Sequence, residues 1–222
     1  MRFLTSHIFV CTLYIWQMEQ AEAKLNVFQP LLRTMGLNLL PVSAVPCHPL
    51  KLAKVAHSGD HIAVRTVIER PCTPTKFGQI WHHGIMVDDD RVVQMHPKGN
   101  ISVVELEEFV ALSLVAANNE LIIKMTGDTS SSEPPKVSID ATAVLQYDGD
   151  NDAWKSQTRS IAMWATQDPY MQGIKYDANK ANCECFATWC RNGRWVLLSG
   201  RITHFRLLQT VPSYNMRGNP KF

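Results

Sequence analysis

The sequence predicts an α+β domain: an antiparallel sheet, and packed on it a helix that carries a cysteine at its N-terminus. Three stretches carry that expectation. "SGDHIAVRTVI" (58–68) is a turn running into a strand, "WHHGIMVDDDRVVQMHP" (81–97) is a hairpin, and "NCECFATWCRNG" (182–193) is a capped helix. The chain has 222 residues, long enough for one domain with a substantial core. With 45% hydrophobic and 19% charged residues it is globular in composition and not disordered. A net charge of +2 with no Lys/Arg block is too mild to point to a nucleic-acid footprint, and none is expected.

The chain opens on "MRFLTSHIFVCTLYIW", a short basic start followed by an apolar run, and then "QMEQAEA", with Ala21 and Ala23 in an A-x-A arrangement. Residues 1–23 therefore read as a signal peptide, or failing that as an uncleaved membrane anchor or a buried segment. The run from Phe3 to Trp16 is 14 residues, short of the ~20 that a membrane-spanning helix needs. Residues 24–57 continue as an apolar N-terminal extension, which either hugs a membrane or joins the core. Pro30, Pro41 and Gly36 break any single helix there. The expected localisation is membrane-associated in the secretory pathway or endoplasmic reticulum, or secreted if residues 1–23 are removed. Removal after Ala23 takes Cys11 out of the six cysteines and leaves five, so no even disulfide framework is visible.

In residues 58–68, Gly59 and Asp60 make the turn, and Ile62, Val64, Thr66 and Ile68 alternate along one side of a strand. The prolines and Gly78 of residues 70–80 predict a loop. The hairpin has one strand over 82–87, a turn at Asp88-Asp89-Asp90, and a second strand over 91–96. Residues 103–112 predict a helix, 120–125 a strand, 127–136 a polar loop and 137–147 another strand. Residues 148–152 predict a turn, and 152–167 a helix with Ile161, Trp164 and Ala165 on one face. Residues 168–181 connect to the cysteine-rich stretch. There Asn182 is the N-cap, Cys183 the first helical residue and Gly193 the C-cap. Residues 195–208 are a late apolar segment, and 212–222 a tail.

Cys183, Cys185 and Cys190 invite a metal, but their spacing is not that of a structural zinc site. On a helix Cys183 and Cys185 point about 200° apart, which prevents a shared ion or a mutual disulfide. Neither a metal nor any other cofactor is expected. A cysteine at a helix N-terminus sees unpaired N–H groups and the positive end of the helix dipole, both of which favour thiolate. The same N–H groups suit an oxyanion. Cys183 has that position, whereas Cys185 and Cys190 read as small buried hydrophobes. Its partner is a histidine at the start of the hairpin strand, His82 or His83. A strand histidine facing a helix-terminal cysteine is the geometry of papain-like thiol enzymes. Gln94 and His96 lie on one side of the second hairpin strand, and either suits the group that orients the ring.

"HHGIMVDDDRVVQMHP" resembles the histidine box of lecithin:retinol acyltransferase and its relatives, the small phospholipase/acyltransferases of the NlpC-like thiol superfamily. "NCECFATWCRNG" resembles the same family's "NCEHF" box, and Tyr176 and Gly59-Asp60 also fit. The resemblance covers roughly residues 58–195 and implies a permuted papain-like fold, with 58–211 as the catalytic domain. It implies Cys183 as nucleophile, His82 as base, and Gln94 at the third polar position, where many relatives carry histidine. Asn182 and Tyr176 fall where substrate or oxyanion support is expected. His83 stands where the family has an aromatic residue, and Cys185 replaces the histidine of "NCEHF". The implied function is a thiol-dependent acyltransferase or phospholipase that takes acyl groups from glycerophospholipid esters at a membrane surface. Two alternatives stand beside it: a non-catalytic membrane-associated protein with a degenerate site, and a cysteine peptidase or amidase.

Overall fold

In the computed structural model the described residues are 41–69, 76–97, 100–116, 136–147, 149–193 and 195. They form a six-stranded antiparallel sheet with helices on both faces. In chain order come β1 (Pro41–Cys47), a 3-10 turn (Pro49–Lys51), α1 (Leu52–Val55), β2 (His61–Glu69), β3 (Lys76–Met86), β4 (Arg91–Met95) and β5 (Ile101–Glu105). Then follow α2 (Leu106–Ala116), β6 (Lys136–Tyr147), α3 (Asp152–Ala165), α4 (Pro169–Gln172) and α5 (Cys183–Asn192). The sheet order is β1-β6-β2-β3-β4-β5.

The run β2-β3-β4-β5 is a meander, each strand pairing with the next. β6 then returns to the other side of β2, and β1 pairs with its outer edge. The 24–57 extension is thus in part sheet: Ala44 pairs with Leu145 and Cys47 with Thr142. The 70–80 loop ends early, because residues 76–80 continue β3 as the outer arm of a long β2–β3 hairpin, with Gly78 opposite Ile68. The helix expected over 103–112 begins only at Leu106. Val103 and Val104 instead pair with Val93 and Val92, where branched side chains fit the pleated sheet better than a helix. The 168–181 connection contains α4, capped by the Asp168 carboxylate, which accepts from the Met171 N–H at 3.0 Å. The other strand and helix expectations over 58–68, 82–96, 137–147, 152–167 and 182–193 match β2, β3–β4, β6, α3 and α5 within a few residues. Residues 1–23, the strand over 120–125, most of the 127–136 loop, the segment beyond 195 and the tail lie outside the described residues.

The two sheet faces are buried against different helices. Ile62, Val64, Met86, Val92 and Val144 pack under Leu106 and Phe109 of α2 and Leu52 of α1. Ile85, Val93 and Met95 pack under Ala162 and Ala165 of α3, Met171 of α4, and Phe186, Ala187 and Cys190 of α5. Each large side chain so buried contributes about 1.5–3 kcal/mol. Because both faces are covered, β2 is buried from His61 through Ile68 and its alternation does not divide core from solvent. Gly59 has φ +86°, and a Cβ there would stand 2.2 Å from the Lys155 carbonyl oxygen, so only glycine fits the turn into β2. Among the described residues, no helix is long and apolar enough to cross a membrane.

Candidate functional site

The site begins with the capping of α5. Asn182 is extended (φ −125°, ψ −178°), and its side-chain oxygen accepts the Cys185 N–H at 3.0 Å. Its amide nitrogen donates to the Ala178 carbonyl at 2.8 Å, which ties the helix start to the preceding turn. Gly193 closes the helix in the left-handed region, φ 70°. This places Cys183 in the first helical position, 5% exposed.

α5 lies against β3, β4 and β2. β3 and β4 are paired only over Gly84–Met86 and Val92–Gln94, so β4 parts from β3 before His82 and His83. The Cys183 thiol comes to the side of β3 so vacated and accepts a hydrogen bond from the His83 main-chain N–H. The Tyr176 hydroxyl and the Glu184 main-chain N–H also donate to the sulfur. Three donors therefore converge on it.

His82 is the next residue along β3, its ring turned toward α2. It pairs with Val64, and its ring stacks on Phe109 of α2 with centroids 4.8 Å apart at 30°. Its Nε2–H donates to the Gln94 side-chain oxygen at 2.5 Å, which fixes the tautomer and leaves Nδ1 as the nitrogen able to take a proton. Gln94 is fully buried, and its amide nitrogen has no hydrogen-bond partner among the described residues. Gly84 makes room for this stack: a Cβ there would lie 2.5 Å from Val92 Cγ1 and 2.8 Å from Phe109 Cε2.

Burial sets the protonation states. It pushes the Cys183 thiol up to about 11; the nearby Glu184 carboxylate adds to the rise, and the three donors to the sulfur oppose it. Burial also pulls His82 down to about 4, against the bond to Gln94 and with the help of the nearby His96. Cys183 thus rests as a thiol and His82 as a neutral imidazole, each set by its own burial. The Glu184 main-chain N–H at the helix start lowers the thiol pKa as a helix end should, but desolvation is larger. Burial likewise keeps Tyr176 a protonated phenol, so it is a donor to sulfur.

The five residues expected at a site fall into two groups on adjacent elements. Cys183, Tyr176 and Asn182 surround the start of α5, and His82 is bound to Gln94 under α2. The main chain of β3 at 82–83 joins them. Of the two candidates for orienting the ring, Gln94 makes the hydrogen bond, and His96 acts on it through charge. Cys185 and Cys190 are buried free thiols, and Cys190 packs with Phe186 and Ala187. Among the described residues no three His, Cys, Asp or Glu side chains are placed to share a metal ion.

Sequence reasoning missed Phe109, which supports the His82 ring from a helix with no motif of its own. It also missed a buried polar cluster made by His61, His83 and Tyr147. The parity of His61 and His83 along their strands puts them on one face, but their contact depends on the β2–β3 register.

An α+β sheet protein with a helix-terminal cysteine, and a carboxamide-bound histidine on the strand it packs against, has the makings of a thiol enzyme site. The chain belongs to the lecithin retinol acyltransferase family, whose profile matches residues 54–196. That family includes acyltransferases and phospholipases that work through a thiol. No match was found among curated proteins or among solved structures.

Proposed function

We propose that this protein is a thiol-dependent acyltransferase or phospholipase on a permuted papain-like fold, acting on glycerophospholipid esters at a membrane surface. The observation that carries the reading is the setting of Cys183. Its sulfur sits at a capped helix start, held by three donors, one residue along β3 from a neutral imidazole whose Nε2 is bound to Gln94.

Cys183 is the nucleophile and His82 the base. As Sγ attacks the ester carbonyl carbon, the thiol proton passes to His82 Nδ1 and the carbonyl electron pair moves onto oxygen. Collapse of that oxyanion expels the lysophospholipid alkoxide, which takes the proton back from Nδ1 and leaves a thioester on Cys183. Water or an acceptor amine or alcohol then attacks the thioester with the same imidazole as base, and the sulfur recovers its proton. The Cys183 N–H, which has no acceptor within the helix at the first position, is the oxyanion donor. Gln94 keeps the ring in the Nδ1-accepting tautomer, Tyr176 steadies the sulfur as it gains charge, and Asn182 holds the helix start.

Burial of the site and the raised thiol pKa favour a second reading, a non-catalytic protein with a closed site. Intact mass after incubation with phosphatidylcholine vesicles separates the two. An acyl-sized increment that maps to Cys183 and is absent from Cys183→Ala supports the enzyme. A folded wild type that gains no mass and hydrolyses no lipid supports the second reading, and cleavage of a peptide amide instead of lipid would mark a peptidase.

A further inference from the structure

Between the sheet and α5 lies a chain of three polar side chains that the acyl-transfer scheme does not use. The Tyr147 hydroxyl is 2.7 Å from His61 Nδ1, and His61 Nε2 is 2.9 Å from His83 Nδ1. All three residues are buried: Tyr147 is 3% exposed, His61 0% and His83 1%. Imidazole–imidazole contact at that distance needs one proton between the two nitrogens.

Tyr147 is a protonated phenol, and His61 is its hydrogen-bond partner on this face. One proton lies in each contact, Tyr147 Oη to His61 Nδ1 and His61 Nε2 to His83 Nδ1, so the three side chains form a continuous hydrogen-bonded chain in either direction. The charged and titratable groups around Tyr147 are Glu184, Cys190 and Arg191 of α5 and Asp150 of the turn before α3. The Arg191 guanidinium lies 4.5 Å above the Tyr147 ring and pairs with Asp150 at 2.7 Å, so the phenol end is itself held in place.

His83 is also the residue whose main-chain N–H donates to the Cys183 sulfur. We propose that Tyr147, His61 and His83 form a positioning relay: the side-chain chain pins His83, and His83 aims its N–H at the nucleophile. None of the three touches substrate. The relay acts only by favouring charge on the sulfur, and it rests on the reading of Cys183 as the reactive thiol.

The test is the pH profile of Cys183 alkylation by iodoacetamide, followed on the Cys183 peptide in native full-length protein. Tyr147→Phe removes one oxygen from the far end of the relay. His61→Leu removes the middle, and His61→Gln keeps one acceptor and one donor there. Losing a hydrogen bond to the sulfur should raise the inflection by about half to one pH unit and slow alkylation at fixed pH about three- to tenfold. Tyr147→Phe and His61→Leu are expected to show this, with His61→Gln nearer to wild type. A role in packing alone would lower the melting temperature and leave the inflection in place. That outcome, in folded Tyr147→Phe and His61→Leu, overturns the proposal. The readout needs no lipid: a relay effect without any acyl-enzyme would retain the relay and sink the acyltransferase reading, and acylation with unmoved inflections would do the opposite.

Discussion

At the scale of single residues, the site is governed by burial more than by local dipoles. Removing the nucleophile with Cys183→Ser or Cys183→Ala should abolish formation of an acyl-enzyme, read by intact mass, with little change in melting temperature. Gln94→Ala leaves the buried His82 Nε2–H without its acceptor. Such a loss costs about 1–3 kcal/mol of stability and frees the ring tautomer, so turnover should fall more than binding. Gln94→Asn or Gln94→His should recover part of it. Both depressed and raised groups make stability depend on pH. His82 titrates near 6.5 when unfolded and at about 4 when folded, so the unfolded chain binds more protons between those values. Stability from this group is full above pH 6.5 and is lost as pH falls toward 4. Cys183, ordinarily at 9, is raised to about 11, so its contribution is full below pH 9 and is lost as pH rises toward 11. Urea midpoints across pH check this: His82→Phe should flatten the acid limb and Cys183→Ala the alkaline one, each without moving the other.

At the scale of elements, what was legible in the sequence was local. Asn182 and Gly193 bracket α5 because capping chemistry lies within a few residues of each end, and the Asp88–Asp90 turn marks the hairpin for the same reason. Cys183 stands out because it opens a helix; His82 was expected to open a strand, but β3 begins at Lys76 and carries His82 in its interior. The boundaries that escaped were set by pairing at a distance: Val103 and Val104 are strand because β4 is beside them, and residues 76–80 are strand because β2 runs long. The Phe109–His82 stack and the His61–His83 contact escaped likewise, since each joins residues whose meeting only the register decides. Two element-level changes test this picture. Asn182→Ala should cost about 1 kcal/mol of stability and slow Cys183 alkylation, since it loosens the helix start that carries the thiol. Gly84→Ala should cost about 1–3 kcal/mol, because the new methyl meets Val92 and Phe109. It should also displace the Phe109 ring from His82, which a reduced turnover in the folded variant would register.

At the scale of the whole molecule, the sheet is enclosed by helices on both faces and the reacting groups lie within that enclosure. Cys183 is 5% exposed and His82 2%, while the proposed glycerophospholipid substrate would have to bring its ester carbonyl to the sulfur. A rigid closed site would make the thiol inert, so a working enzyme has to open where its substrate is. Phospholipid, the proposed substrate, is presented at an interface. The expected outcome is a thiol that responds to lipid surfaces: alkylation of Cys183 should be slow in buffer and about tenfold faster with phosphatidylcholine vesicles, since a two-state opening shifted by ~1.4 kcal/mol changes the reactive population by that factor. The buried thiols of Cys185 and Cys190 serve as internal controls, because general loosening would raise their labelling in step. A rise confined to Cys183 marks an opening at the start of α5. Equal labelling of Cys183 with and without vesicles would instead mean that lipid does not open the site, and would leave the enclosed, silent thiol as the better description of this fold.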